Sequence, residues 1–183
     1  TFGQVTVQPK KLMVLTNPFS DELLLNATPD IISMLVDMAA IALAKLEDNN
    51  VFIGTSSSYT GLLELTTVTR SLGATKTAIT DFTLDHVSDA INDLASQYLP
   101  NLHFFWNKAA TNVLRKQKAD TAGSYLWGDV TNGNPRTLWG YLHMEVTDMA
   151  SAPAAATAFA VIGDPKKVVF ATRGGLRVDL LTE

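Results

Sequence analysis

His143 and Glu145 stand as His-x-Glu, the spacing at which a zinc-bound histidine and a proton-shuttling glutamate meet in nucleobase deaminases. That chemistry also draws on two cysteine ligands, and the sequence contains no cysteine. Residues two apart on a strand share a face, so the pair is expected to sit side by side on the exposed side of a sheet. A hydrolase or metal enzyme would have to rest on His143, Glu145 and Asp148. His86 falls near a helix start and His103 inside an apolar run, and nothing in the sequence gathers them around His143. No metal and no cofactor are expected.

Other chemistry-bearing patterns read the same way. Asp81, Asp85, Asp89 and Asp93 recur every four residues, which places like charges along one helix face without the clustered loop oxygens a hard cation needs. They are expected to form a solvated face. The segment from Gly54 to Gly61 looks like a phosphate loop but lacks the lysine that would reach the phosphates, and Ser56 to Ser58 lack the flanking glycines of a nucleophile elbow. Both are expected to be polar turn.

The elements that must position these residues are dominated by one helix. Thr28, Pro29 and Asp30 supply a cap, a first-turn proline and a negative charge at the positive dipole end, and the following residues run apolar to Ile53 and Gly54. Ile32, Leu35, Ala39, Leu43 and Leu46 recur at helical spacing, while Ile31, Met34, Met38 and Ile41 spread the apolar surface beyond one stripe. Such a helix is expected to be buried along most of its length as a central core helix; the sharper reading packs it against its own sheet and also against a neighbouring subunit. Asp37, Lys45, Glu47 and Asp48 break the uncharged run a membrane span requires, so no membrane partner is expected.

Elsewhere, Gln4 to Gln8 alternates with period two and Lys11 to Thr16 reads as a more buried strand. Leu62 to Ser71 and Ala74 to Thr80 read as strand material around Gly73. A second helix starts at Thr83 and ends before Pro100, with Leu84, Val87, Ala90, Ile91 and Leu94 on one face. Leu102 to Trp106 reads as a buried strand, Asn107 opens a third helix, and Asn132-Gly133 is the strongest turn signal. Tyr141 to Val146, Phe159 to Ile162, Val168 to Thr172 and Leu176 to Leu181 complete the expected strands. The fold class is α+β, with strands of both directions and no internal repeat.

The 183 residues, 46% of them hydrophobic, suffice for one domain or two small lobes. A net charge of −4 leaves Arg115, Lys116 and Lys118 as the only basic cluster, too small for a row of phosphates, so sequence-specific nucleic-acid binding is not expected. The lack of cysteine excludes disulfides and thiolate metal sites and fits folding in a reducing cytoplasm.

In this order the motifs resemble the major capsid proteins of tailed bacteriophages and prophages, the Hong Kong 97-type capsid fold. Pro9-Lys10-Lys11-Leu12 to Thr16 with Ser20 to Leu24 looks like the strand and turn leaving that family's extended loop. Pro29 through Asp48 and Gly54 looks like its spine helix. Trp106-Asn107-Lys108-Ala109-Ala110, Leu114-Arg115-Lys116, Gly123 to Leu126 and Thr137 to Tyr141 are similar to its axial helix, loop and following strand. Ile162-Gly163-Asp164 and Val168 to Val178 look like its closing strands.

The resemblance implies a structural protein, not an enzyme, whose copies form hexamers and pentamers in an icosahedral shell around packaged DNA. A scaffold or maturation protease would be a further partner. The virion would be its location and the bacterial host cytoplasm its place of synthesis. It implies a peripheral domain of residues 1–60 and 159–183 with the spine helix at about 29–53, and an axial domain of residues 61–158. Asp129, Asn132, Gly133, Asn134 and Arg136 would lie in the loop gathered around the capsomer axis. The family's N-terminal arm, most of its extended loop and its last strands are expected to lie outside Thr1 to Glu183, so no cross-linking residue carries over. An encapsulin-like bacterial compartment shell, which shares the fold and binds a cargo peptide, is the alternative within the resemblance.

Overall fold

The computed structural model describes residues 10–15, 31–55, 59–64, 69–73, 76, 78–118, 125–127, 137–154 and 157–169. Helix α1 runs unbroken over Ile31–Phe52, 22 residues, or roughly 33 Å at 1.5 Å per residue. Gly54 ends it: its φ of +74° is open to a residue without Cβ, and the Ile53 N–H closes the last turn on the Asn49 carbonyl at 2.8 Å. Strands β1 (Gly54–Thr55) and β2 (Tyr59–Thr60) then form a short antiparallel hairpin. The chain returns so closely over the helix end that a Cβ on Gly61 would stand 2.3 Å from the Ile53 carbonyl carbon. The two glycines are therefore a helix stop and a close backbone approach.

The larger sheet is built on β3 (His103–Trp106) and carries β4 (Thr137–Leu138), β5 (Tyr141–Glu145) and β6 (Ala160–Gly163) in the order β4-β5-β3-β6. β5 runs parallel to β3, while β4 and β6 are antiparallel to their neighbours. A parallel pair needs a long crossover, and α3 (Lys108–Arg115) lies within it. Helix α2 (Leu84–Asn92) precedes the sheet. Phe104 and Trp106 of β3 join Phe82, Val87, Ala110, Leu114, Trp127 and Leu138 in one buried cluster. On the opposite face, the Phe105 ring lies 5.5 Å from Phe52 at the end of α1.

Side-chain amides, Asn107 buried and Gln117 half-buried, fasten these layers. Asn107 caps α3 by accepting from the Ala109 N–H at 3.0 Å, and its Nδ2 donates to the carbonyls of Thr147 and Met149 at 3.0 and 2.9 Å. Gln117 accepts from the Leu84 N–H at 3.0 Å and donates to the Phe82 carbonyl at 2.8 Å, capping α2 from a distant part of the chain. Trp106 donates its indole N–H to Thr111 at 3.0 Å.

Several expectations are corrected. Helix α1 is not buried: only Asn50 is enclosed, and Ile32, Met34, Met38 and Ile41 are 43%, 52%, 58% and 59% exposed. The reason is that β1 and β2 meet only its C-terminal end, where Phe52 also reaches the larger sheet. Residues 10–15 form no strand, and Met13, Val14 and Leu15 are exposed. Residues 61–64 turn, residues 69–73 are irregular, and Ile79–Asp81 is a 3-10 turn where strand was expected. Helix α2 stops at Asn92, and Pro100 sits in a separate 3-10 segment, Ser96–Asn101. The two-residue hairpin found among the described residues is Trp139-Gly140, with φ of +51° and +83°, the sign pattern of a type I′ turn. Val168 and Val169 are irregular. Expectations for Gln4 to Gln8, Ser20 to Leu25, the helix cap at Thr28 to Asp30, the Asn132-Gly133 turn and the strands beyond Val169 lie outside the described residues.

Candidate functional site

The expected neighbours His143 and Glu145 are neighbours, but the histidine faces inward. It sits in β5 with its ring stacked 6.0 Å from Trp106 and edge-on to Trp127 at 5.2 Å, and it is buried, while Glu145 is partly exposed. The inward face follows from the pleat: the register pairs His143 with Phe104, which belongs to the buried cluster. His143 Nε2 and Glu145 Oε1 are 3.8 Å apart, beyond a hydrogen bond. The imidazole is thus packed between two indole rings, stacked on one and perpendicular to the other.

The remaining titratable groups do not converge on it. Asp148 is exposed in the turn after β5. His103 holds the Asn101 carbonyl at 2.8 Å, and His86 accepts from the Thr83 N–H at 3.1 Å while its other nitrogen meets the Leu72 carbonyl at 3.1 Å. Among the described residues no three His, Cys, Asp or Glu side chains are placed to hold a metal ion. Asp85, Asp89 and Asp93 form the expected solvated face, and Asp81 accepts from the Ala78 N–H at 3.2 Å. Arg70 reaches onto that face, bonding Asp93 at 2.5 Å and Asp89 at 2.7 Å. The Asp93 hydrogen bond, with both carboxylate charges, holds the guanidinium pKa above its ordinary value.

Asp129, Asn132, Gly133, Asn134 and Arg136 lie outside the described residues. The two described residues that flank them are joined, because the Trp127 indole N–H donates to the Thr137 carbonyl at 3.1 Å. Trp127 is itself buried beneath the Arg115 guanidinium, 5.7 Å from its ring centre.

What the molecule does present is bare apolar surface. The outer face of α1 is one such region, and Met13 to Leu15 form a second. A third lies on the hairpin, where Trp139, Leu142 and Met144 are exposed on the side of β5 opposite His143. The hairpin patch went unread in the sequence, although Leu142 and Met144 carry a period-two signal. Among the described residues no helix is long and apolar enough to cross a membrane.

The described residues thus present a buried His143 and uncovered helix and hairpin faces, with no converged cluster of His, Asp or Glu side chains among them. The sequence pattern of the phage capsid family matches residues 1–183, and the chain belongs to that family. Two solved structures are similar: the capsid of an empty GTA (gene transfer agent) particle computed with C5 symmetry, at 29% identity and TM-score 0.66, and that of a native GTA particle, at 28% and 0.65. Each likeness covers 79% of this chain and 53% or 52% of the other, so the chain spans about half the length of those capsid proteins. No curated protein matches. The mixed helix-and-sheet architecture expected from sequence is the one these capsids share. Neither the encapsulin-like alternative nor the hydrolase alternative gains support from these likenesses.

Proposed function

We propose that this protein is the major capsid subunit of a tailed phage or a phage-derived particle, assembling with copies of itself into a closed icosahedral shell around packaged DNA. The observation that carries the proposal is the exposed apolar face of α1 in a chain of the phage capsid family. Covering Ile32, Met34, Met38 and Ile41 contributes roughly 1 kcal/mol per side chain for the portion still exposed, so roughly 4 kcal/mol per helix. Contacts of that size hold a shell by repetition over closed symmetry and leave wrong contacts reversible. The acidic balance fits a container that encloses DNA without gripping it.

Copies meet as hexamers and pentamers, with the loop of Asp129, Asn132, Gly133, Asn134 and Arg136 at the capsomer axis. A scaffold or maturation protease acts during assembly, which takes place in the bacterial host cytoplasm and ends in the virion. Residues 61–158 make up the axial unit, and 1–60 with 159–183 the peripheral one. Pairing of β6 with β3 along its whole length favours moving the crossing between them from 158 to beyond Gly163. No catalysis is needed.

Expressed as the complete gene product, the protein is expected to elute as large species that negative-stain microscopy shows as closed shells or capsomer rings. A homogeneous monomer across salt, pH and crowding conditions would overturn the proposal.

A further inference from the structure

Among the described residues, the segment 69–73 is fastened to the fold by exposed ion pairs. Where Asn107 and Gln117 lock their neighbours through uncharged amides, one buried and one half-buried, this segment is held by three tethers to α2 and its C-cap. Arg70 bonds Asp89 and Asp93, and the Leu72 carbonyl meets His86 Nε2 at 3.1 Å. Residues 86, 89 and 93 fall on one helical stripe, so the three attachments line up beneath the segment. Arg70 and Asp89 are exposed and Asp93 is partly so. None of residues 69–73 pairs in a strand, and Leu72 is the one side chain among them that packs against the buried cluster. Gly73, at φ +123°, marks a backbone conformation that side chains rarely adopt at the far end of the segment.

We propose that residues 69–73 are a strap latched by charge onto α2, which lifts Leu72 from its seat without unfolding the core when its carboxylates are screened or engaged by another basic group. Exposed ion pairs weaken as the Debye length shrinks with added salt, whereas hydrogen bonds of uncharged amides do not. Ionic strength therefore acts on the strap selectively. So does any neighbouring molecule that brings a guanidinium or ammonium group to Asp89 and Asp93. The device is independent of the shell proposal and stands or falls on local chemistry.

Trypsin reports the strap directly, since it cuts the Arg70–Ser71 bond, and the Lys116–Gln117 bond at the C-cap of α3 reports opening of the core. In the folded 183-residue chain, raising salt from about 20 mM to about 500 mM is expected to speed the first cut about threefold to tenfold relative to the second. The D89N/D93N variant should already show the fast rate at low salt, with little further response. The R70K variant, which keeps the charge and the cleavage site but lacks the fork that spans two carboxylates, should fall between them. Identical cleavage of all three proteins overturns the proposal. Parallel acceleration at both bonds also overturns it, because the strap would then open only with the whole fold.

Discussion

Asn107 ties a helix start to a distant part of the chain. Its amide oxygen stops the first turn of α3 from fraying, and its amide nitrogen holds the chain just after β5. N107A is expected to lower unfolding free energy by about 2–4 kcal/mol, combining a lost cap with carbonyls left unsatisfied, as measured by urea denaturation. The helix start at Asn107 was legible, since asparagine before Lys108-Ala109-Ala110 is a cap signal. Its grip on Thr147 and Met149 was not, because a bond across 40 residues leaves no local trace. His143 shows the same limit. Its pairing with Glu145 follows from spacing alone, but which face of β5 turns inward depends on β3, a partner that lies in another part of the sequence.

At the level of elements, the long helix, the strands around β3 and β5, and α3 were readable because each carries its own period or cap. Leu62 to Ser71 and Ala74 to Thr80 were expected as strand, and their described parts are not strand. Their threonine and valine content fits a strand, but propensity of that kind counts only where a neighbouring strand supplies partners, and the described parts turn instead. The apolar surround of α1 was correctly seen, yet its cover is absent from the described parts of the chain. Replacing Met38 and Ile41 together by lysine should therefore leave the melting temperature of the isolated subunit within about 3 °C of the parent, since surface substitutions seldom alter stability much. Light scattering of the complete gene product should show assembly abolished. A subunit that unfolds under the same change would mean that the face is inward after all.

For the molecule as a whole, the mixed helix-and-sheet class and the family were legible, because motifs in a fixed order outlast the weakness of each one. The sheet order β4-β5-β3-β6 was not, since the parallel contact between β3 and β5 skips over α3 and everything up to β4. The joined flanks of residues 128–136 bear on the molecule's engineering. With Trp127 buried and its indole N–H on the Thr137 carbonyl, the two described residues that bound residues 128–136 form a pinned gate. On the proposed assignment of these residues to the capsomer-axis loop, a foreign epitope of about ten residues spliced between Asn132 and Gly133 is expected to leave the melting temperature within about 3 °C of the parent, because loop length adds little closure entropy once the ends are fixed. A drop of more than about 10 °C would show that the gate alone does not insulate the body from what it carries. A particle built from such subunits would repeat each grafted peptide at fixed intervals, making it a ready scaffold for vaccine display.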